Sequence, residues 1–100
     1  MVRRIIWTSK ADTIFSNILE FYIERNKSKL YSRKLNKEIN DIVNLLLKHP
    51  FLGTKSDYKD IRVLIKGDYK IFYQIKPNEL IILLVWDCGQ SLDFLNRIIT

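Results

Sequence analysis

The sequence predicts a two-layer α+β fold: an N-terminal strand and a helical hairpin packed on a mainly antiparallel sheet, in the order β-α-α-β-β-β, with a short C-terminal helix fitting the last residues. Three observations carry this expectation. Apolar residues recur at steps of three and four from Ala11 to Leu46. Alternation and then a continuous apolar run replace that period between Ile61 and Asp87. Turn signals at Gly67-Asp68 and Pro77-Asn78 cut this second half into strands. A sheet whose apolar face is covered by a helical hairpin is a stable two-layer arrangement.

Arg3 to Thr8 is short and rich in β-formers, and reads as the first strand. Ser9 is the expected helix N-cap, with Asp12 three residues on beside the positive helix end. Ala11, Ile14, Phe15, Ile18, Leu19 and Tyr22 then form one stripe of a helix running to about Asn26. Ser28 is the expected second N-cap, and Tyr31, Leu35, Ile39, Ile42, Val43 and Leu46 carry a second helix to Lys48. Pro50 stops it, because the residue before a proline is pushed out of the α region. Phe51 to Lys59 reads as a loop. Ile61, Val63 and Ile65 give the next strand one mostly apolar face, opposite Arg62, Leu64 and Lys66. Tyr69 to Ile75 is the return strand, and Glu79 to Asp87 is apolar enough to be central. Ser91 to Ile99 fits a short helix with Leu92, Leu95 and Ile98 or Ile99 on one side.

The 100 residues allow one domain, spanning 1–100, and 47% of them are hydrophobic, which is ordinary for a globular chain. The net charge of +6 is local. Arg25, Lys27, Lys29, Arg33, Lys34 and Lys37 stand in one stretch without an acidic residue, and the rest of the chain carries eleven bases against eleven acids. A local cluster suggests either a working face or a solvated helix surface.

Several classes fall at once. The single cysteine, Cys88, cannot form an internal disulfide, and with the single histidine, His49, it cannot make a structural zinc site. The N-terminal apolar stretch is too short for a signal peptide. The longest apolar run, Leu80 to Trp86, is far below the roughly 20 residues a membrane-spanning helix needs. The expectation is a cytoplasmic protein with no metal, no cofactor and no membrane partner.

Few residues suggest chemistry. His49 stands at a helix C-terminus, where a structural role outweighs catalysis. Cys88 has no nearby histidine to activate it. Ser9, Ser28 and Ser32 read as caps or helix-surface residues, and Trp7 and Trp86 as core. Gly53, Gly67 and Gly89 are isolated, which excludes a phosphate-cradling loop. Arg62, Lys66 and Lys70, on adjacent strands around the Gly67 turn with Lys55 and Lys59 just before, remain as weak catalytic candidates. Clustered cations can stabilise charge on a phosphate during RNA cleavage, though no histidine is there to move protons. They are equally consistent with strand-edge lysines that discourage sheet pairing.

Four segments together resemble toxins of the RelE/ParE superfamily from bacterial type II toxin–antitoxin modules, closer to the ParE-like branch. They are Trp7-Thr8-Ser9-Lys10-Ala11 at the first helix, His49-Pro50-Phe51-Leu52-Gly53 at the helix exit, Ile61-Arg62-Val63-Leu64 leading to Gly67-Asp68-Tyr69-Lys70-Ile71-Phe72-Tyr73, and Leu83-Leu84-Val85-Trp86-Asp87-Cys88-Gly89-Gln90. The resemblance spans nearly the whole chain. It implies a toxin held by a cognate antitoxin in a hetero-oligomer, acting either on DNA gyrase, as ParE-like members do, or by ribosome-dependent mRNA cleavage, as RelE-like members do. The RelE-like enzymes use sheet cations and a tyrosine near the C-terminus; after Asp87 this chain has only Arg97 and no tyrosine. Arg62, Lys66, Lys70, Asp87 and Gln90 become the expected target-binding residues. Arg25, Arg33, Lys34 and Lys37 become the expected antitoxin-binding residues, facing an apolar partner segment with acidic side chains. Gly89 and Leu92 stand where many similar sequences carry arginine and proline, which leaves a third reading: a degenerate toxin that retains only antitoxin binding.

Overall fold

The computed structural model describes residues 3–87. The element order is β1 (Arg4–Trp7), α1 (Ser9–Asn26), α2 (Leu30–Lys48), β2 (Thr54–Lys55), β3 (Arg62–Lys66), β4 (Tyr69–Ile75) and β5 (Glu79–Asp87). Five strands form one sheet in the order β1-β5-β4-β3-β2, parallel only between β1 and β5. The expected α+β architecture is present, and β5 lies inside the sheet as its composition suggested. The expected C-terminal helix, Cys88 and Gln90 lie outside the described residues.

The helical stripes pack as their spacing implies. Ala11, Phe15 and Ile18 of α1 and Leu35, Ile39, Val43 and Leu46 of α2 are buried with Ile71, Tyr73, Leu80, Ile82 and Val85 of the sheet. Trp7 stacks on Phe15 with ring centroids 5.7 Å apart. Ser32, expected on the surface, is buried between the helices. A short hydroxyl fits there because it donates to the carbonyl of Leu19 at 2.7 Å, so the small polar group is satisfied rather than stranded.

The caps differ from expectation by one position each. Thr8, not Ser9, caps α1: its backbone is extended, and its hydroxyl accepts the N–H of Ala11 at 3.0 Å. At α2 the capping position is Lys29, with no side-chain bond of its own, and the Ser28 hydroxyl accepts the N–H of Leu30. Lys27 turns the hairpin in the left-handed region at φ 54°.

Further features concern the sheet. The stretch expected to be all loop contains β2, whose Thr54 and Lys55 pair with Val63 and Arg62. The mostly apolar face of β3 lies away from the helices. Leu64 packs toward the helices, whereas Ile61 and Val63 join Phe72, Leu84 and Trp86 on the far side. A register shift at Phe72/Tyr73 leaves Leu83 without a direct partner between Leu84 and Ile82. This bulge lets Ile82 and Val85 both reach the helical side although they are three residues apart.

Candidate functional site

Two ends of α2 concentrate the features that could meet a partner. At its start is the hairpin tip. Arg25, Lys27, Lys29, Arg33, Lys34 and Lys37 are all exposed there, beside the exposed apolar side chains of Phe21, Leu30 and Tyr31. Lys37 bonds Asp41 one turn on at 2.8 Å, which raises its pKa. In so exposed a pair this adds little to stability. The remaining cations of the tip extend from a rigid base. The Tyr31 and Tyr69 hydroxyls bond at 3.0 Å, Tyr22 donates to Asp87 at 2.9 Å, and the Tyr22 and Tyr31 rings are 4.8 Å apart. Desolvation first, and then the bonds from Tyr31 and Tyr22, push the Tyr69 phenol far above its ordinary pKa.

At the other end of α2 the chain leaves through His49-Pro50-Phe51-Leu52-Gly53. The His49 main-chain N–H bonds the carbonyl of Leu45, closing the helix. Beneath the exit lies Tyr73, fully buried, whose hydroxyl donates to the Pro50 carbonyl at 2.8 Å and accepts the Gly53 N–H at 2.9 Å. Gly53 must be glycine here, because a Cβ would stand 2.6 Å from the Tyr73 hydroxyl and 2.7 Å from the Val63 carbonyl. Arg62 closes the arrangement. Its Nε and Nη2 donate to the Gly53 carbonyl at 3.1 and 2.8 Å, and its guanidinium lies 5.2 Å from the centroid of the Phe51 ring.

The sheet cations therefore do not form one cluster. Arg62 is committed to the helix exit. Lys66 follows it on the helix-facing side of β3 and is exposed, whereas Lys70 is cross-strand partner to Trp86 and Ile65 on the opposite side. Strand alternation separates residues that the linear sequence places close together. Asp87 is tied to Tyr22, and Gln90 lies outside the described residues. An open hollow of about 660 Å³ beside β3 and β4 gathers Lys55, Lys59 and Lys76, but Asp57 and Asp60 share its rim. Among the described residues no cluster could hold a metal ion, and no helix is long and apolar enough to cross a membrane.

Sequence reasoning did not single out Phe51, Leu52 or Tyr73 as a unit. The visible signal was two large apolar residues set between a helix-stopping proline and a glycine. Their tie to Tyr73 and Arg62 depends on contacts nine to twenty-three residues apart.

Comparison with known proteins agrees with the fold. No curated protein matches the sequence. A solved structure described as the chromosomal ParDE toxin–antitoxin system from P. aeruginosa is similar at 20% identity and a TM-score of 0.75, covering 86% of this chain and 96% of that one. The model of the family described as ParE toxin of type II toxin–antitoxin system, parDE, matches residues 5–92. That match takes in every strand and helix above except Arg4 at the start of β1, and runs beyond the end of β5; on this ground the chain belongs to the ParE toxin family.

Proposed function

We propose that this type II toxin acts in the cytoplasm by binding and poisoning DNA gyrase, with no catalysis of its own, and that a cognate antitoxin neutralises it. Membership of the ParE family is the observation that carries the reading. The dispersal of Arg62, Lys66 and Lys70 over two sheet faces and a structural clamp favours binding over a concerted cleavage site. The antitoxin meets the hairpin tip, where exposed Arg25, Arg33, Lys34 and Lys37 attract acidic side chains and Phe21, Leu30 and Tyr31 offer apolar contact. Lys66, Lys70, Asp87 and Gln90 remain target contacts in this reading, with Arg62 acting through the loop it holds.

Purified gyrase and relaxed plasmid test it. Supercoiling should be inhibited and cleavage complexes should accumulate at micromolar protein. A translating extract whose messages are cut instead, with cutting lost in Arg62→Ala or Lys70→Ala, would show the ribosome-dependent endoribonuclease. A chain that leaves both systems untouched while binding its antitoxin would be the degenerate form.

A further inference from the structure

The helix exit holds two large apolar side chains in water. Phe51 is 70% exposed and Leu52 49%, with Leu45 of the last α2 turns at 43%. A loop that only connected α2 to the sheet would need no such residues, and a mobile loop could fold them down onto the core. This one cannot. The Pro50 carbonyl and Gly53 N–H are bound to the buried Tyr73 hydroxyl, the Gly53 carbonyl is bound to Arg62, and the Phe51 ring rests against the same guanidinium. Both ends of the Phe51-Leu52 pair are thus pinned to β3 and β4, so little conformational freedom is left to lose on contact with a partner.

Along the chain the charges next to the pair are basic, while Asp57 and Asp60 share the hollow that Lys55 and Arg62 line. Between Asp41 and Asp57 the only charged side chains are Lys48 and Lys55, both exposed, with His49 between them. A rigid aromatic and aliphatic anchor flanked by Lys48, Lys55 and Arg62 suits a protein surface that offers an apolar pocket with carboxylates beside it. The basic tip assigned to the antitoxin lies at the opposite end of α2, about 27 Å away at about 1.5 Å per residue. A toxin has to engage two proteins, and this molecule carries an apolar and basic patch at each end of one helix.

We propose that Phe51 and Leu52 are the docking knuckle for the toxin's protein target, inserted into an apolar pocket flanked by carboxylates. The inference rests on the toxin reading above but not on which protein is the target. The test uses the full chain, expressed from an inducible promoter in a bacterial host, beside a Phe51→Ala/Leu52→Ala variant and a Lys48→Glu/Lys55→Glu variant. Thermal unfolding of the purified proteins shows that the fold is kept, since all four side chains are exposed.

The expected result is growth arrest by the wild type and a loss of at least tenfold in growth inhibition for each variant. Copurification with the co-expressed cognate antitoxin should be unchanged. Inhibition of purified gyrase should weaken in parallel. Full arrest by the Phe51→Ala/Leu52→Ala variant overturns the proposal, as does loss of antitoxin copurification with that variant, which would give the knuckle to the antitoxin. A wild-type chain without effect on growth overturns it too. Arrest by the wild type without any effect on gyrase removes gyrase as the target, and the growth arm still decides the knuckle.

Discussion

The two ends of α2 handle their polar groups in opposite ways. At the helix exit, the Arg62 guanidinium, the Tyr73 hydroxyl and the main-chain groups of Pro50 and Gly53 bond one another, leaving apolar surface outward. At the hairpin tip the polar bonds lie underneath, among Tyr22, Tyr31, Tyr69 and Asp87, and five cations besides the Asp41-bound Lys37 extend into water. The exit gains rigidity, because each bond crosses between elements and excludes solvent. The tip gains long-range attraction, because exposed like charges keep their field and hold no fixed geometry. A basic residue is therefore a poor guide to function until its partners are known: Arg62 and Arg33 look alike in the sequence, yet Arg62 is bonded to the Gly53 carbonyl and Arg33 is exposed.

This contrast can be broken first at the exit. Gly53→Ala forces a methyl against the Tyr73 hydroxyl and the Val63 carbonyl, and we expect a loss of about 3 kcal/mol in denaturant unfolding. A change near zero would mean the exit is not held as described. Next, Tyr73→Phe strands a buried N–H and frees a carbonyl, with an expected loss of about 2 kcal/mol by the same measurement.

The tip should respond less. Tyr31→Phe removes one bond from a partly exposed pair and should cost about 1 kcal/mol. Alkali acts on the same base of the tip. Folding holds the Tyr69 proton more tightly than the unfolded chain does, so its contribution is whole below the ordinary phenol value of 10.0 and is lost as pH rises above it. The unfolding temperature should fall above pH 10, and fall less steeply in Tyr69→Phe. Smallest of all in stability is charge reversal of Arg33, Lys34 and Lys37, expected within about 0.5 kcal/mol of the wild type. Those changes should nonetheless weaken antitoxin binding at least tenfold, measured by titration calorimetry. Undiminished binding would move the antitoxin off the tip.

Local pattern made much of this legible. The stripes from Ala11 to Tyr22 and from Leu35 to Leu46 are periodic because each helix has one buried side, and Pro50 ends α2 by sterics that involve only neighbouring residues. The apolar run from Leu80 to Trp86 marks a strand covered on both faces, as β5 is. What failed were features settled at a distance. Ser32 seemed a surface hydroxyl until α1 supplied the Leu19 carbonyl. The apolar face of β3 was legible, but which layer it meets was not: pairing with β4 places Leu64 opposite Ile71 on the helical side and leaves Ile61 and Val63 on the other.

The sequence by itself determined the α+β order, the location of the whole charge excess between Arg25 and Lys37, and the resemblance that family membership confirms. Each of these is written in residues close along the chain. Only the tertiary structure decided which cations are available. Strand alternation parted Lys66 from Lys70, and the return of the sheet beneath the helix exit bound Arg62 to the Gly53 carbonyl. A guanidinium near a carbonyl nine residues away in sequence is satisfied or solvated according to how the chain folds back, and no local pattern encodes that.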